Sequence, residues 1–208
     1  MSFPAPATLY RVAATAGVGS AAVLLINAAK RAEVIPTSGF TQLVAPLAQI
    51  LALAVVTGLY FAFGRRAGRF GFAAYLLNAF ALTALVGVEF VINLVFAELP
   101  NETIELLREG PLGVALTVAS VTFLLGSLAF VTAMLHTHEL PMVPLALYAI
   151  GAVPVSLRAF VPELALDLGL VALAVGIAWI GGWFFTRAQT LGTRAASTVT
   201  VSTLESRV

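Results

Sequence analysis

The chain has 208 residues, of which 60% are hydrophobic and 10% charged, with a formal net charge of +1. A soluble domain carries about 25% charged residues because its surface is wet, so this composition excludes a water-soluble globule, and the near-zero net charge excludes a global basic field for nucleic acid. There is no cysteine, which removes disulfides, thiolate metal sites and cysteine catalysis; the two histidines, His136 and His138, sit two apart and point to different faces of a helix, so they do not form a haem or zinc pair.

Uncharged runs of about 18 residues or more mark membrane-spanning helices. The first expected span covers residues 8–29. Its apolar run is long for a signal-peptide core and only Arg11 precedes it, so it is read as a span. Ala13, Gly17 and Ala21 within it have the spacing of a close-packing helix face. A loop of Pro36, Thr37, Ser38 and Gly39 leads to the second span, 41–63. The short basic turn with Arg65, Arg66 and Arg69 separates it from the third and longest, 70–97. An acidic loop with Glu102, Glu105 and Glu109 follows. The fourth span is 111–136. The fifth, 140–160, contains Pro141, Pro144 and Pro154, and Pro154 is placed to kink it. The sixth, 163–186, ends near Gly181 and Gly182. Residues 187–208, rich in Ser, Thr and Arg, read as a polar, disordered tail. The expected fold is all-α: a polytopic integral membrane helical bundle of about six transmembrane helices, in one domain over residues 1–186.

Lys and Arg counts orient the bundle. One side collects Arg11, Arg65, Arg66, Arg69, Arg187, Arg194 and Arg207; the other has Lys30, Arg31, Arg108 and Arg158. The excess expects a multi-pass protein of the cell membrane with both termini cytoplasmic.

Polar residues inside the spans point to a site. A carboxylate in hydrocarbon is costly and usually faces the bundle interior or a wet cavity. Glu89 lies deep in the third span, and at about 100° per residue Asn78 and Asn93 fall within about 40° of it, with Tyr75 on the same stripe. Gln42, Gln49 and Tyr60 form a stripe on the second span; Ser20, Asn27 and Arg31 form one on the first. The fifth span ends in Ser156 and Arg158, and Glu163 and Asp167 open the sixth. Asn27, Gln42, Gln49, Glu89, Asn93, Arg158 and Asp167 share one level, the outer half of the bilayer. A polar-lined pocket is expected there, with substrate-binding residues Asn27, Gln49, Tyr60, Tyr75, Asn78, Asn93 and Arg158 and acids Glu89 and Asp167. Against this stands a plainer account: Asn and Gln often glue spanning helices together, and Asp167 is placed to cap a helix start.

The chain has no Walker A motif, no Asp-rich diphosphate motif, no HExxH, no GxSxG, no Arg-rich voltage-sensing helix and no TVGYG-type filter. No metal and no cofactor is expected; the expected partners are membrane lipid and an apolar or amphiphilic small molecule, with no nucleic acid. In size, span number and buried acids the chain resembles the small integral-membrane terpene cyclases. That resemblance implies proton-initiated rearrangement or cyclisation of an isoprenoid-like substrate, with Glu89 as proton donor and Asp167 as second acid. Six spans and an outward polar pocket also look similar to the substrate-capture components of vitamin uptake systems, which implies a small solute carrier or binding subunit. A structural or immunity-type membrane protein is the third alternative.

Overall fold

The computed structural model describes residues 6–205, and side-chain surroundings for residues 7–193. Among the described residues there is helix and no strand. Hydrocarbon offers no hydrogen-bond partner, so a spanning backbone must satisfy its amides internally, and helices do so.

The helices are α1 Pro6–Arg31, α2 Gly39–Val44, α3 Leu47–Ala62, α4 Gly68–Phe90, α5 Asn101–Glu109, α6 Pro111–His136, α7 Met142–Ser156 and α8 Glu163–Glu205. Five helical segments are long and apolar enough to cross a membrane: Ala7–Arg31, Gly39–Ala62, Gly64–Glu98, Pro111–His136 and Glu163–Thr193. The protein is thus an all-α membrane bundle.

Several boundaries differ from expectation, each for a local reason. The second span is broken into α2 and α3 at Ala45–Pro46, because Pro46 has no N–H to continue the ladder. The third leaves regular α-helix after Phe90 and finishes in a π turn, Val91–Val95, and a 3₁₀ turn, Phe96–Glu98. The acidic loop holds a surface helix, α5, started by Pro100 and ended at Gly110. The fifth span ends at Ser156 rather than residue 160. At 15 residues and 1.5 Å per residue, α7 is about 22 Å long, short of a bilayer core of about 30 Å. Finally, α8 runs helical through the segment expected as a disordered tail. Ala188 is buried, Leu191 packs on the core, and a Cβ on Gly192 would stand 2.7 Å from the Ala7 nitrogen, so α8 keeps its contact with α1 well past residue 187.

The long helices pack as a closed ring in chain order: α1 on α3, α3 on α4, α4 on α6, α6 on α7, α7 on α8, and α8 back on α1. Apolar side chains such as Phe80, Val114, Leu125 and Phe160 point outward, where lipid tails replace water. Without a hydrophobic drive between helices in lipid, close backbone approach supplies the packing energy. At the α1–α8 crossing a Cβ on Gly17 would stand 3.2 Å from Gly181 Cα, and one on Gly181 would stand 2.8 Å from Ala14 O. On the opposite wall, a Cβ on Gly126 of α6 would stand 2.9 Å from Asn78 Cα of α4. At one end of the ring an ion pair, Arg66–Glu139, ties the α3–α4 turn to the α6–α7 turn.

The α1–α8 crossing generates a paired test. Gly181→Leu should lower thermal stability in detergent by about 1–3 kcal/mol through overpacking. Gly182→Ala should cost nothing, because a Cβ there meets no atom within 4 Å. Equal losses in both variants, or none in either, would show that the glycine contact does not set the spacing.

Candidate functional site

The ring encloses a cavity of about 170 Å³ at the end opposite the basic turn. The C-terminal ends of α1, α4 and α7 and the N-terminal ends of α3 and α8 meet at this level. Its walls are apolar toward the bundle centre, with Leu82, Leu85, Phe123, Leu170 and Leu173. Its polar end carries Asn27, Lys30, Arg31, Gln49, Glu89, Asn93 and Arg158.

A continuous polar chain crosses this end. Lys30 Nζ donates to Asn93 Oδ1 at 2.6 Å. Asn93 Nδ2 donates to Glu89 Oε2 at 2.9 Å and to the Glu89 carbonyl at 3.0 Å. Arg158 Nη1 donates to Glu89 Oε1 at 3.4 Å and forms an ion pair with it. The side chains of Glu89 and Arg158 are 16% and 27% exposed, so water screens the pair only in part. The π turn belongs to this arrangement. The Asn93 side chain occupies the carbonyl of Glu89, four residues back, and competes with the backbone N–H that a regular helix would place there. Such π bulges occur often at functional sites.

The break at Pro46 is repaired on the same wall. With its amide nitrogen turned toward the break, Gln49 donates to Pro46 O at 3.2 Å and Ala45 O at 3.3 Å. Ser20 Oγ donates from α1 to Ala48 O at 2.8 Å. Ala45 O and Pro46 O, whose backbone bonds are long at 3.4 and 3.5 Å, gain a second donor in this way, and the Ser20 bond ties α1 to the start of α3.

Among the described residues three buried side-chain atoms have no hydrogen-bond partner: Asn27 Oδ1, Asn78 Nδ2 and the Tyr148 hydroxyl. The Tyr148 phenol lies beside Asn78 and Ser127, yet neither meets hydrogen-bond geometry with it. An unsatisfied buried group costs about 1–3 kcal/mol.

Five of the residues expected at the site line this cavity: Asn27, Gln49, Glu89, Asn93 and Arg158. Asp167 does not. It accepts from Arg31 Nε at 3.2 Å, beside Glu163 at 3.9 Å from the same guanidinium. Asn78 lies behind the wall, fully buried, accepting from Ser127 Oγ at 3.4 Å. Tyr60 and Tyr75 stack on each other with ring centroids 4.4 Å apart, and Tyr75 OH is 3.4 Å from Thr57 Oγ1. They are remote because the stripe is long: Tyr75 and Glu89 are separated by about 21 Å along the helix, further than one cavity reaches. Lys30 and Tyr148 were not foreseen as site residues. The signal for Lys30 was its place one turn after Asn27; for Tyr148 it was a lone phenol between two prolines in an apolar helix.

No family model matches this chain, and no curated protein or solved structure matches it.

The Glu89–Arg158 pair generates a double-mutant test. Arg158→Met alone should destabilise the protein by about 2 kcal/mol, less than for a fully buried pair because both side chains keep some exposure. Adding Glu89→Gln should recover part of that loss, with an interaction energy of about 0.5–3 kcal/mol in thermal unfolding. Strict additivity would mean that the two side chains do not interact.

Proposed function

We propose that the protein is a membrane-embedded binding or carrier protein for a small amphiphile, whose apolar body sits in the ring cavity and whose polar head meets Lys30, Asn27 and Glu89. The observation that carries this reading is the division of the cavity: apolar walls at its inner end, and the Lys30–Asn93–Glu89–Arg158 chain at its other end. Asn27 and Tyr148 line the cavity, and the Asn27 amide has an oxygen with no partner of its own. Lys30 supports a head that accepts hydrogen bonds, since its partner Asn93 is a neutral amide.

The cavity end is taken to face away from the cytoplasm. The opposite end carries Arg11, Arg65, Arg66, Arg69 and Arg187, and basic loops stay inside. A ligand would then enter from the outer leaflet or from outside the cell.

The terpene-cyclase resemblance asks for a protonated acid facing the apolar space and a second acid within reach. Glu89 does line the cavity, but Arg158 and Asn93 occupy its two oxygens, so neither oxygen is left free to face an apolar substrate. Asp167 is outside the cavity and held by Arg31. Binding therefore takes precedence over acid-initiated chemistry, and the test separates them.

The test uses the full chain in detergent with a panel of fatty acids, isoprenoid alcohols and isoprenoid phosphates, reading thermal stability and the mass of the recovered compound together. At about 100-fold excess over Kd a bound member should stabilise by about 2.7 kcal/mol, about 5 °C or more for a chain of this size. Ala52→Phe, which fills the cavity, and Asn27→Leu, which keeps its shape but removes the unpartnered acceptor, should each weaken the response. Recovery of an altered compound would replace carriage by catalysis. Silence across the panel would return the polar residues to a purely structural role.

A further inference from the structure

A second cavity, of about 440 Å³, adjoins the first and shares Arg31, Arg158, Ile92 and Leu166 with it as a common wall. Three guanidiniums reach it from separate elements: Arg31 from the end of α1, Arg108 from α5, and Arg158 from the connection after α7. Glu163 is the carboxylate on its lining, and its side chain is 88% exposed. The donors are far from used up. Each guanidinium has five N–H groups. Arg158 contributes one nitrogen to Glu89, at 3.4 Å, and Arg31 contributes Nε to Asp167 at 3.2 Å, with Nη2 3.9 Å from Glu163. Among the described residues Arg108 has no ion pair; it lies over the Phe96 ring, 5.5 Å from its centroid, which holds it at the cavity. The hydroxyl of Ser120 lines the same space, and the first turns of α6, at Gly113 and Thr117, border it. Phe160, strongly exposed, sits on its lining.

We propose that this second cavity binds a phosphate group through Arg31, Arg108 and Arg158. Forked guanidiniums match the oxygens of a tetrahedral oxyanion in paired hydrogen bonds, and three of them from independent elements make a cradle rather than a chance contact. The phosphate belongs either to a lipid headgroup, whose depth matches the helix ends, or to a soluble phosphate compound; the chemistry at the arginines is the same. Because Arg158 faces both cavities, phosphate in the second competes with Glu89 for that guanidinium. The site stands independently of what the first cavity carries.

The experiment uses the full chain, with two probes at constant ionic strength. Inorganic phosphate is titrated against protein in an uncharged detergent, and retention of phosphatidylglycerol is measured after reconstitution in phosphatidylcholine nanodiscs. Arg108→Gln is the test variant, since it lies on an exposed surface helix and removes no ion pair; Arg69→Gln, exposed at the opposite end of the bundle, is the control. A thermal transition equal to wild type without either probe establishes that both variants fold. The expected result is binding of at least one probe, weakened about tenfold or more by Arg108→Gln and unchanged by Arg69→Gln. Binding of inorganic phosphate supports a soluble compound as the source, and selective retention of phosphatidylglycerol supports a lipid headgroup. Binding of neither probe, or equal weakening by both variants, overturns the proposal.

Discussion

Hydrocarbon cannot donate or accept a hydrogen bond, so the backbone and most polar side chains of the spanning helices are answered from within the chain. The backbone answers with helices. Where Pro46 interrupts the second span, Gln49 and Ser20 add side-chain bonds to the carbonyls of Ala45, Pro46 and Ala48 around the break. Where Asn93 places an amide inside the bundle, its nitrogen binds Glu89 and its oxygen receives Lys30. The same demand draws Arg158 to Glu89 and Arg31 to Asp167. Polar side chains are few, and their pairing gathers several of them at one end of the ring, which makes that end the candidate site.

The ring itself depends on small residues. Lipid tails do not push helices together as water does, so close contact must come from shape. Gly17 and Gly181 bring α1 and α8 within backbone reach, closing the circle between the first and last long helices. Gly126 brings α6 onto α4 on the far wall. Tight seams leave the space in the middle, and the Leu and Phe side chains that line it keep it apolar until the level of Asn27 and Glu89.

Much of the architecture was legible in the residues. Runs free of charge mark the long helices because length and apolarity are the only requirements for crossing, and the span 111–136 matches α6 at both ends. The convergence of Asn27, Gln49, Glu89, Asn93 and Arg158 was legible too, because helical periodicity and depth are both properties of sequence position. What was hidden depends on the third dimension. Periodicity assigns a face but not a height, so Tyr60 and Tyr75 shared the right stripe and the wrong level. Lys30 counted as a topology charge until its Nζ was found on Asn93, 63 residues away. The helical course beyond Arg187 was concealed by composition: Ser and Thr read as disorder, while the burial of Ala188 and the fit of Gly192 against Ala7 are visible only once α1 stands beside α8.

The pairing of Glu89 also decides how the site can work. A lone acid in an apolar cavity would have both oxygens open to a ligand; Glu89 has a guanidinium on one oxygen and an amide on the other. Both contacts fix the carboxyl group in place at the polar end of the cavity. Arg158, however, belongs to the walls of two cavities and has one modest contact, at 3.4 Å, with Glu89. A competitor for Arg158 would leave Glu89 with Asn93, and through it Lys30, as its remaining partners. The two cavities are thus joined through a single side chain, Arg158, that lies on the wall of both.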